Sequence, residues 1–282
     1  MAVKWLNKVV SEPILVGMWE EVVSVKRLKT FFQNVAVISL LYTASCNTSA
    51  ASDKATEFAE DVVLHVVLHE IGHALIREFD LPVLGNEETM ADAFATHYLT
   101  HHLPDRALDV LTARISSWQV EASEVPRNKW PVKGEHSSDA RRAFQTVALS
   151  VAADRDKYSA LGTQLGFTES DLKNAADYGS EIHRSWRRIL RPLMMPEGME
   201  STETRIGVDP GDVLVKRLIK GPLVREVEDA LKRFDWHSQV TVFFVQGDGT
   251  AGWSRSKRTV SVYSQYIERF MDQSSQTPQQ LK

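Results

Sequence analysis

The H-E-I-G-H segment at residues 69–73 constrains the fold of this chain more than any other feature. It lies in a densely apolar run at 54–79, which is typical of a helix buried on most sides. On a helix, positions i and i+4 share one face and lie about 5–6 Å apart. Two imidazoles and a carboxylate in such a helix are costly unless something satisfies them. The pattern therefore predicts that His69 and His73 bind one metal ion, with Glu70 beside a metal-bound water.

A second predicted helix supplies further oxygen ligands. Pro82 ends the first helix, Asn86 can cap the next one, and that helix is expected at 87–102. Glu88 and Asp92 are again four residues apart, so they share a face. Glu88 can be the third metal ligand, and Asp92 can accept the remaining N–H of a ligating histidine. A water would fill the fourth position, as in catalytic zinc sites. The alternative is an ordinary amphipathic helix pair with surface carboxylates.

These residues carry a resemblance to known metallopeptidases. The H-E-x-x-H run followed by E-x-x-A-D-x-F-A resembles the gluzincin group and, more distantly, the ImmA/IrrE-type peptidases. Residues 69–92 also resemble a bacterial metallopeptidase family of uncharacterised function, whose members show H-E-x-G-H-A-L-I and then L-P-V-x-G-x-E-E-x-x-A-D. The resemblance implies Zn²⁺ bound by His69, His73 and Glu88, with Glu70 as general base. It implies no particular substrate.

A looser block of the same family covers residues 135–137 and 141–144. Because His136 belongs to this block, it is a candidate catalytic residue that would stabilise an oxyanion or a leaving group, and Glu135 could orient it. A histidine on a surface loop is an equal alternative. Weaker candidates for the same role are His183, Tyr98 and Tyr263.

The other histidines of the two predicted helices are expected to stay away from the metal. His65 shares a face with His69, but a fourth protein ligand would close the site, so we expect a hydrogen-bonded core histidine. The histidines past the second ligand helix are expected to face solvent; these are His97, His101 and His102.

Composition narrows the class of protein. The chain has 282 residues, is 43% hydrophobic and 25% charged, and carries a formal net charge of −4, which is an ordinary globular balance. Its Lys and Arg residues are scattered, so no nucleic-acid partner is expected. A single cysteine excludes an internal disulfide. The expected partner is a peptide or protein substrate, and the sequence leaves the oligomeric state unknown.

Residues 26–52 have the pattern of an export signal, with a basic cluster, a short apolar run and small residues. Cys46 stands where a bacterial lipoprotein carries its lipid, which predicts membrane attachment through a lipidated Cys46. The alternative to lipidation is cleavage of the signal near residues 49–51. We expect an exported protein, either periplasmic or a membrane-anchored lipoprotein; a cytoplasmic protein with an amphipathic helix here is the alternative. Since signal n-regions are short, we expect the true start at Met18 or Val25.

The remaining pattern predicts a mainly helical α+β fold. Helices are expected at 54–79, 87–102, 105–122, 137–153, 168–191 and 222–234. Strands are expected at 239–245 and 258–263 as a hairpin, and 195–212 is expected to be a linker or long loop. The predicted division is a leader or spurious extension at 1–52, a zincin-like catalytic domain at 53–272 and a disordered tail at 273–282. The domain would contain a helical part, 53–191, and a C-terminal αββ part, 208–272.

The order of these elements is unusual for a zincin, in which a small sheet normally precedes the active helix. Here the clear strands follow it. We therefore expect a circularly permuted arrangement in which strand 239–245 or 258–264 lies beside the metal. An unrelated α+β extension is the alternative.

Three functional hypotheses follow. The first is zinc-dependent peptide hydrolysis with Glu70 as the general base. The second is a non-catalytic, zinc-containing binding module, either membrane-tethered or periplasmic. The third is a cytosolic regulatory protease of the ImmA/IrrE type, although the sequence shows no attached helix-turn-helix. Iron(II) oxygenases also use two histidines and a carboxylate, but the glutamate next to the first histidine favours a hydrolase.

Overall fold

Helix α1, at 53–78, is the buried centre of the fold. Its consecutive residues Val62, Val63 and Leu64 are each 0% exposed, so neighbours cover the helix on all sides. The structure, a computed structural model, describes residues 53–83, 85–126, 137–211, 213–218 and 220–276. The predicted leader with Cys46 and the candidate His136 therefore lie outside the described residues.

Eight further helices follow α1 within the described residues. Helix α4 packs against four of them, α2, α3, α5 and α6, and so organises the helical part. Their bounds are α2 Glu87–His102, α3 Pro104–Glu124, α4 Asp139–Ala153, α5 Arg155–Gln164, α6 Glu169–Leu190, α7 Val213–Leu218, α8 Pro222–Lys232 and α9 Ser264–Gln273.

The caps of two helices form as their sequences predict. The Asn86 side chain accepts a hydrogen bond from the backbone N–H of Thr89 at 2.9 Å and so fixes the first turn of α2. Thr168 and Asp171 form a reciprocal capping box at the start of α6. Among the residues that the structure describes, no helix combines the length and apolar character that a membrane span needs.

Within the described residues, the sheet has four strands in the order β1-β2-β4-β3. Strands β1, β2 and β4 are parallel, whereas β3 pairs antiparallel with β4 and forms one edge. Buried residues alternate along β2 and β4, so one face of the sheet packs into the core. The strand bounds are β1 Thr204–Val208, β2 Val240–Val245, β3 Ala251–Ser254 and β4 Thr259–Tyr263.

The α+β class and the dominance of helices are confirmed, but the predicted hairpin is wrong. Strands β2 and β4 are parallel neighbours, and the hairpin partner of β4 is β3. Strand β1 lies within 195–212, where we predicted a linker. Both missed strands are short: β1 reads T-R-I-G-V and β3 reads A-G-W-S, and β3 lacks the alternation that marks a half-buried strand.

The C-terminal end of the folded part also differs from the predicted boundary. Helix α9 continues through Gln273, which is buried and accepts a hydrogen bond from the Ser117 hydroxyl at 2.8 Å. The folded part therefore extends beyond the predicted boundary at 272. The short helices α5, α7 and α9 were not predicted.

The sheet lies against α1, as the permutation hypothesis requires. The backbone N–H of Trp253 in β3 donates to Glu70 Oε2 at 2.8 Å. The strand beside the predicted metal site is therefore β3, at 251–254, and not 239–245 or 258–264. The reason is that β4 inserts between β2 and β3, which leaves β3 as the exposed edge. Circular permutation itself stays a prediction.

Gly72 permits the close contact between α1 and α2. A Cβ built at Gly72 would lie 3.1 Å from both the Ala91 Cα and the Phe94 Cδ1. The Ala91 backbone cannot move aside as the end of a flexible side chain can. A glycine within the H-E-x-x-H segment therefore serves packing between the two helices that carry the predicted ligands.

We expect Gly72→Ala to lower the free energy of unfolding by about 1–3 kcal/mol through overpacking. Urea denaturation measures this change. Gly85→Ala is the matched control, because a Cβ there would meet nothing within 4 Å, and its stability should stay unchanged or rise slightly. A gain of about 1 kcal/mol for Gly72→Ala, the usual result for a helical glycine, would contradict the packing argument.

Candidate metal centre

The side chains of His69, His73 and Glu88 converge between α1 and α2. The Nε2 atoms of the two histidines lie 3.1 Å apart. The Glu88 carboxylate places Oε2 3.2 Å from His69 Nε2 and Oε1 3.4 Å from His73 Nε2. Ligands bound tetrahedrally at about 2.0–2.1 Å lie roughly 3.4 Å from one another. The three donors are therefore spaced so that they could hold one ion.

Carboxylates outside this set orient both imidazoles. His69 Nδ1–H donates to Asp92 Oδ1 at 2.8 Å, and His73 Nδ1–H donates to Glu87 Oε1 at 2.9 Å. Each bond leaves the Nε2 lone pair directed at the common point, as metal-binding histidines require. The contact of Asp92 was expected from the sequence. The contact of Glu87 was missed; because Glu87 lies four residues before Ala91 on α2, it shares the face that packs on Gly72 of α1.

Arg142 completes the environment of Asp92. Its Nε donates to Asp92 Oδ2 at 2.8 Å, and its Nη2 donates to Oδ1 at 2.7 Å. The guanidinium carbon lies 4.7 Å from the centre of the Trp118 ring. A chain of contacts therefore runs from His69 through Asp92 to Arg142 and Trp118. The sequence signal for Arg142 was its place in the second family block, in which only His136 and Glu135 were assigned roles.

The charges of the site favour a cation. Burial alone would lower the pKa of His69, but its hydrogen bonds to Asp92 and Glu88 raise it to about 9. Burial alone would raise the pKa of Asp92, yet Arg142 and His69 hold it well below its ordinary value. Glu87 and Glu88 likewise raise the pKa of His73 against the effect of burial. The raised pKa values of both imidazoles indicate that the site favours positive charge, even though Arg142 and Arg77 already pair with Asp92 and Glu87.

Glu70 stands beside the three donors and faces an open cleft of about 660 Å³. One wall of the cleft comes from α1 and α2, and the other comes from the edge strand β3. The residues that line the cleft include Glu70, His73, Glu87, Glu88 and those at 251–253. The arrangement therefore combines a possible metal site, a carboxylate outside the ligand set and access from solvent.

The remaining candidates do not line this cleft. Tyr98 is buried between aromatic rings, Tyr263 lies in β4, and His183 packs against His97. Whether His136 contributes stays a prediction, since it is outside the described part.

Two predictions about histidines need correction. His65 is buried as expected and packs edge-to-face on Trp118 at 5.3 Å, but its Nε2 has no hydrogen-bond partner within the described residues. His97 does not face solvent; it is 1% exposed because α6 packs over this end of α2. His101 is exposed as predicted, and His102 is half-buried.

We expect Arg142→Ala to cost about 3–5 kcal/mol of unfolding free energy, because it leaves the Asp92 carboxylate buried without its partner. We also expect a 10–100-fold loss of metal affinity, since Asp92 would no longer be held against His69. Urea denaturation and equilibrium dialysis with zinc measure the two effects. Arg141→Ala is the matched control at the exposed neighbouring position and should change stability by less than about 0.5 kcal/mol. Equal behaviour of the two variants would contradict the role given to Arg142.

A family model described as "Putative metallopeptidase" matches residues 32–190. The matched segment spans α1 to α6 and includes the three converging side chains, Asp92 and Arg142. No curated protein and no solved structure matches the chain. Because the family model covers more than half of the 282 residues, the chain belongs to this metallopeptidase family.

Proposed function

We propose that the protein is a zinc-dependent peptidase whose ion is held by His69, His73 and Glu88 and whose general base is Glu70. The observation that carries this proposal is the convergence of the three donors beside an open cleft with Glu70 on its wall. Three protein ligands leave one coordination position open, which distinguishes catalytic from structural zinc sites.

The donor set supports zinc among the possible metals. Two imidazole nitrogens and one carboxylate suit zinc, whereas Mg²⁺ and Ca²⁺ prefer oxygen ligands throughout. Non-haem iron(II) oxygenases use a similar set, but they have no need of a carboxylate base next to the first histidine. When bound, zinc would lower the pKa of a water toward about 7 and polarise a carbonyl group.

Glu70 is positioned to transfer protons. Its Oε2 accepts the backbone N–H of Trp253 at 2.8 Å, which anchors the carboxylate to β3 and leaves Oε1 to take a proton. In the proposed reaction, this oxygen accepts a proton from the attacking water. Glu70 then returns the proton to the leaving amine as the peptide bond breaks.

The edge strand β3 supports an extended peptide as substrate. Backbone groups of alternate strand residues point the same way, so those of Ala251 face the same side as the Trp253 N–H, away from β4. An edge strand with outward-directed backbone groups can pair with an added peptide strand. We therefore propose that the substrate binds along β3, with its scissile carbonyl beside Glu70.

We expect Glu70→Gln to retain metal and to reduce peptide hydrolysis by about 10²–10⁴-fold, since the amide cannot accept the proton. Fluorogenic peptide libraries give the rate, and elemental analysis gives the metal content. Glu57→Gln is the matched control on the exposed surface of α1 and should keep full activity. Full activity in Glu70→Gln would show that another group is the base. A wild-type protein that binds zinc but cleaves no peptide would favour the non-catalytic binding module.

Replacing Ala251 with proline tests whether the substrate binds along β3. Proline is tolerated on an edge strand at positions whose backbone N–H points away from the sheet. The Ala251→Pro variant should therefore fold. It should raise KM for extended peptides several-fold, because one pairing group is lost. Gly252→Pro is the contrasting variant, since Gly252 faces Ser261 of β4 and proline should break the sheet. An unchanged KM in Ala251→Pro would argue against binding along β3.

A further inference from the structure

A second group of histidines lies outside the cleft. One ring nitrogen each from His97, His101 and His183 comes within 4.8 Å of the others. His97 and His101 are four residues apart on α2, and His183 reaches them from α6. His97 and His183 are 1% and 2% exposed, whereas His101 borders solvent. Two helices thus bring three imidazoles together at the edge of the core.

Hydrogen bonds to backbone carbonyls orient two of these rings. His183 Nε2 lies 2.8 Å from the Leu149 carbonyl oxygen, which can only accept, so Nε2 carries the proton and Nδ1 keeps a lone pair. His101 Nδ1 lies 3.1 Å from the His97 carbonyl oxygen and 2.9 Å from the Thr100 hydroxyl. As a donor to the carbonyl, Nδ1 leaves the lone pair on Nε2, which Arg187 Nη1 approaches at 3.4 Å. A carbonyl that holds the second ring N–H is the usual partner of a metal-bound histidine.

The inner nitrogens face each other as they do in the first site. His97 Nδ1 lies 2.9 Å from His183 Nδ1, and the corresponding distance between His69 and His73 is 3.1 Å.

We propose that His97, His101 and His183 form a second metal site for a divalent ion of the zinc class. Three imidazoles suit Zn²⁺ and its neighbours among the transition metals and exclude Mg²⁺ and Ca²⁺. The site is separate from the first one, because Glu88 and His97 lie nine residues apart on α2, which corresponds to about 14 Å.

The surroundings indicate the fourth ligand. His97 lines a cleft of about 860 Å³ together with five arginines. Arg187 Nη1 lies 3.4 Å from His101 Nε2, so a bare dication would be repelled. The metal is therefore expected to bind with an oxyanion in its open position, toward which Arg187 would turn. The arginines of the cleft are Arg184, Arg187, Arg188, Arg191 and Arg233.

Co²⁺ titration of the full chain in sulfate-containing buffer tests this inference, with visible absorption and equilibrium dialysis as readouts. The wild type should bind two equivalents. His73→Ala, which removes a proposed ligand of the first site, should bind one. Adding His101→Ala to that variant should weaken the remaining binding by at least about 100-fold, more than the loss of an outer partner causes.

The control is His102→Ala in the same His73→Ala background, because His102 neighbours His101 but is not in the cluster; it should still bind one equivalent. Since His101 is exposed, its removal should leave the fold intact, and His101→Ala alone should lower the wild-type stoichiometry from two to one. If His73→Ala binds no Co²⁺, or if the His101 and His102 variants bind equally, the three histidines only hydrogen-bond to one another. Either result overturns the inference and leaves the proposed peptidase untouched.

Discussion

The contact between α1 and α2 is the constraint on which the rest of the structure depends. Because Gly72 has no side chain, the two helices approach closely enough for Glu88 to lie 3.2–3.4 Å from the Nε2 atoms of both histidines. The same approach brings Asp92 to His69 and Glu87 to His73. Arg142 pairs with Asp92 and Arg77 pairs with Glu87, so the two carboxylates that orient the imidazoles are themselves held by arginines. A divalent ion between the helices would be bound by one Glu88 oxygen and both Nε2 atoms.

Other elements of the fold each contribute a group to the site at this helix contact. Helix α4 supplies Arg142, which holds Asp92 in place, and helix α3 supplies Trp118, on which the guanidinium lies. The sheet supplies the backbone N–H of Trp253, which anchors Glu70 from the opposite side. The helical part therefore fixes the predicted ligands, and the sheet fixes the predicted base. This division explains why a short edge strand, far along the chain from α1, belongs to the same site.

Sequence reasoning reached the local parts of this site and missed those that depend on tertiary contacts. Spacing on a helix was enough to place Glu88 and Asp92 on one face, and Asn86 was recognisable as a cap. Arg142 could not be assigned a role, because its partner lies 50 residues away and nothing local specifies the pairing. Strand 251–254 was missed because four residues without alternation give no strand signal. His97 was misjudged because only the packing of α6 on α2 buries it.

The most direct test of the account is anomalous diffraction at the zinc edge from crystals of the His101→Ala variant grown with zinc, in which the second histidine cluster is disabled. The account predicts one strong peak about 2.0–2.2 Å from His69 Nε2, His73 Nε2 and a Glu88 oxygen, with a single solvent ligand completing four-coordination. Zinc-containing crystals with no peak between these three side chains would contradict it.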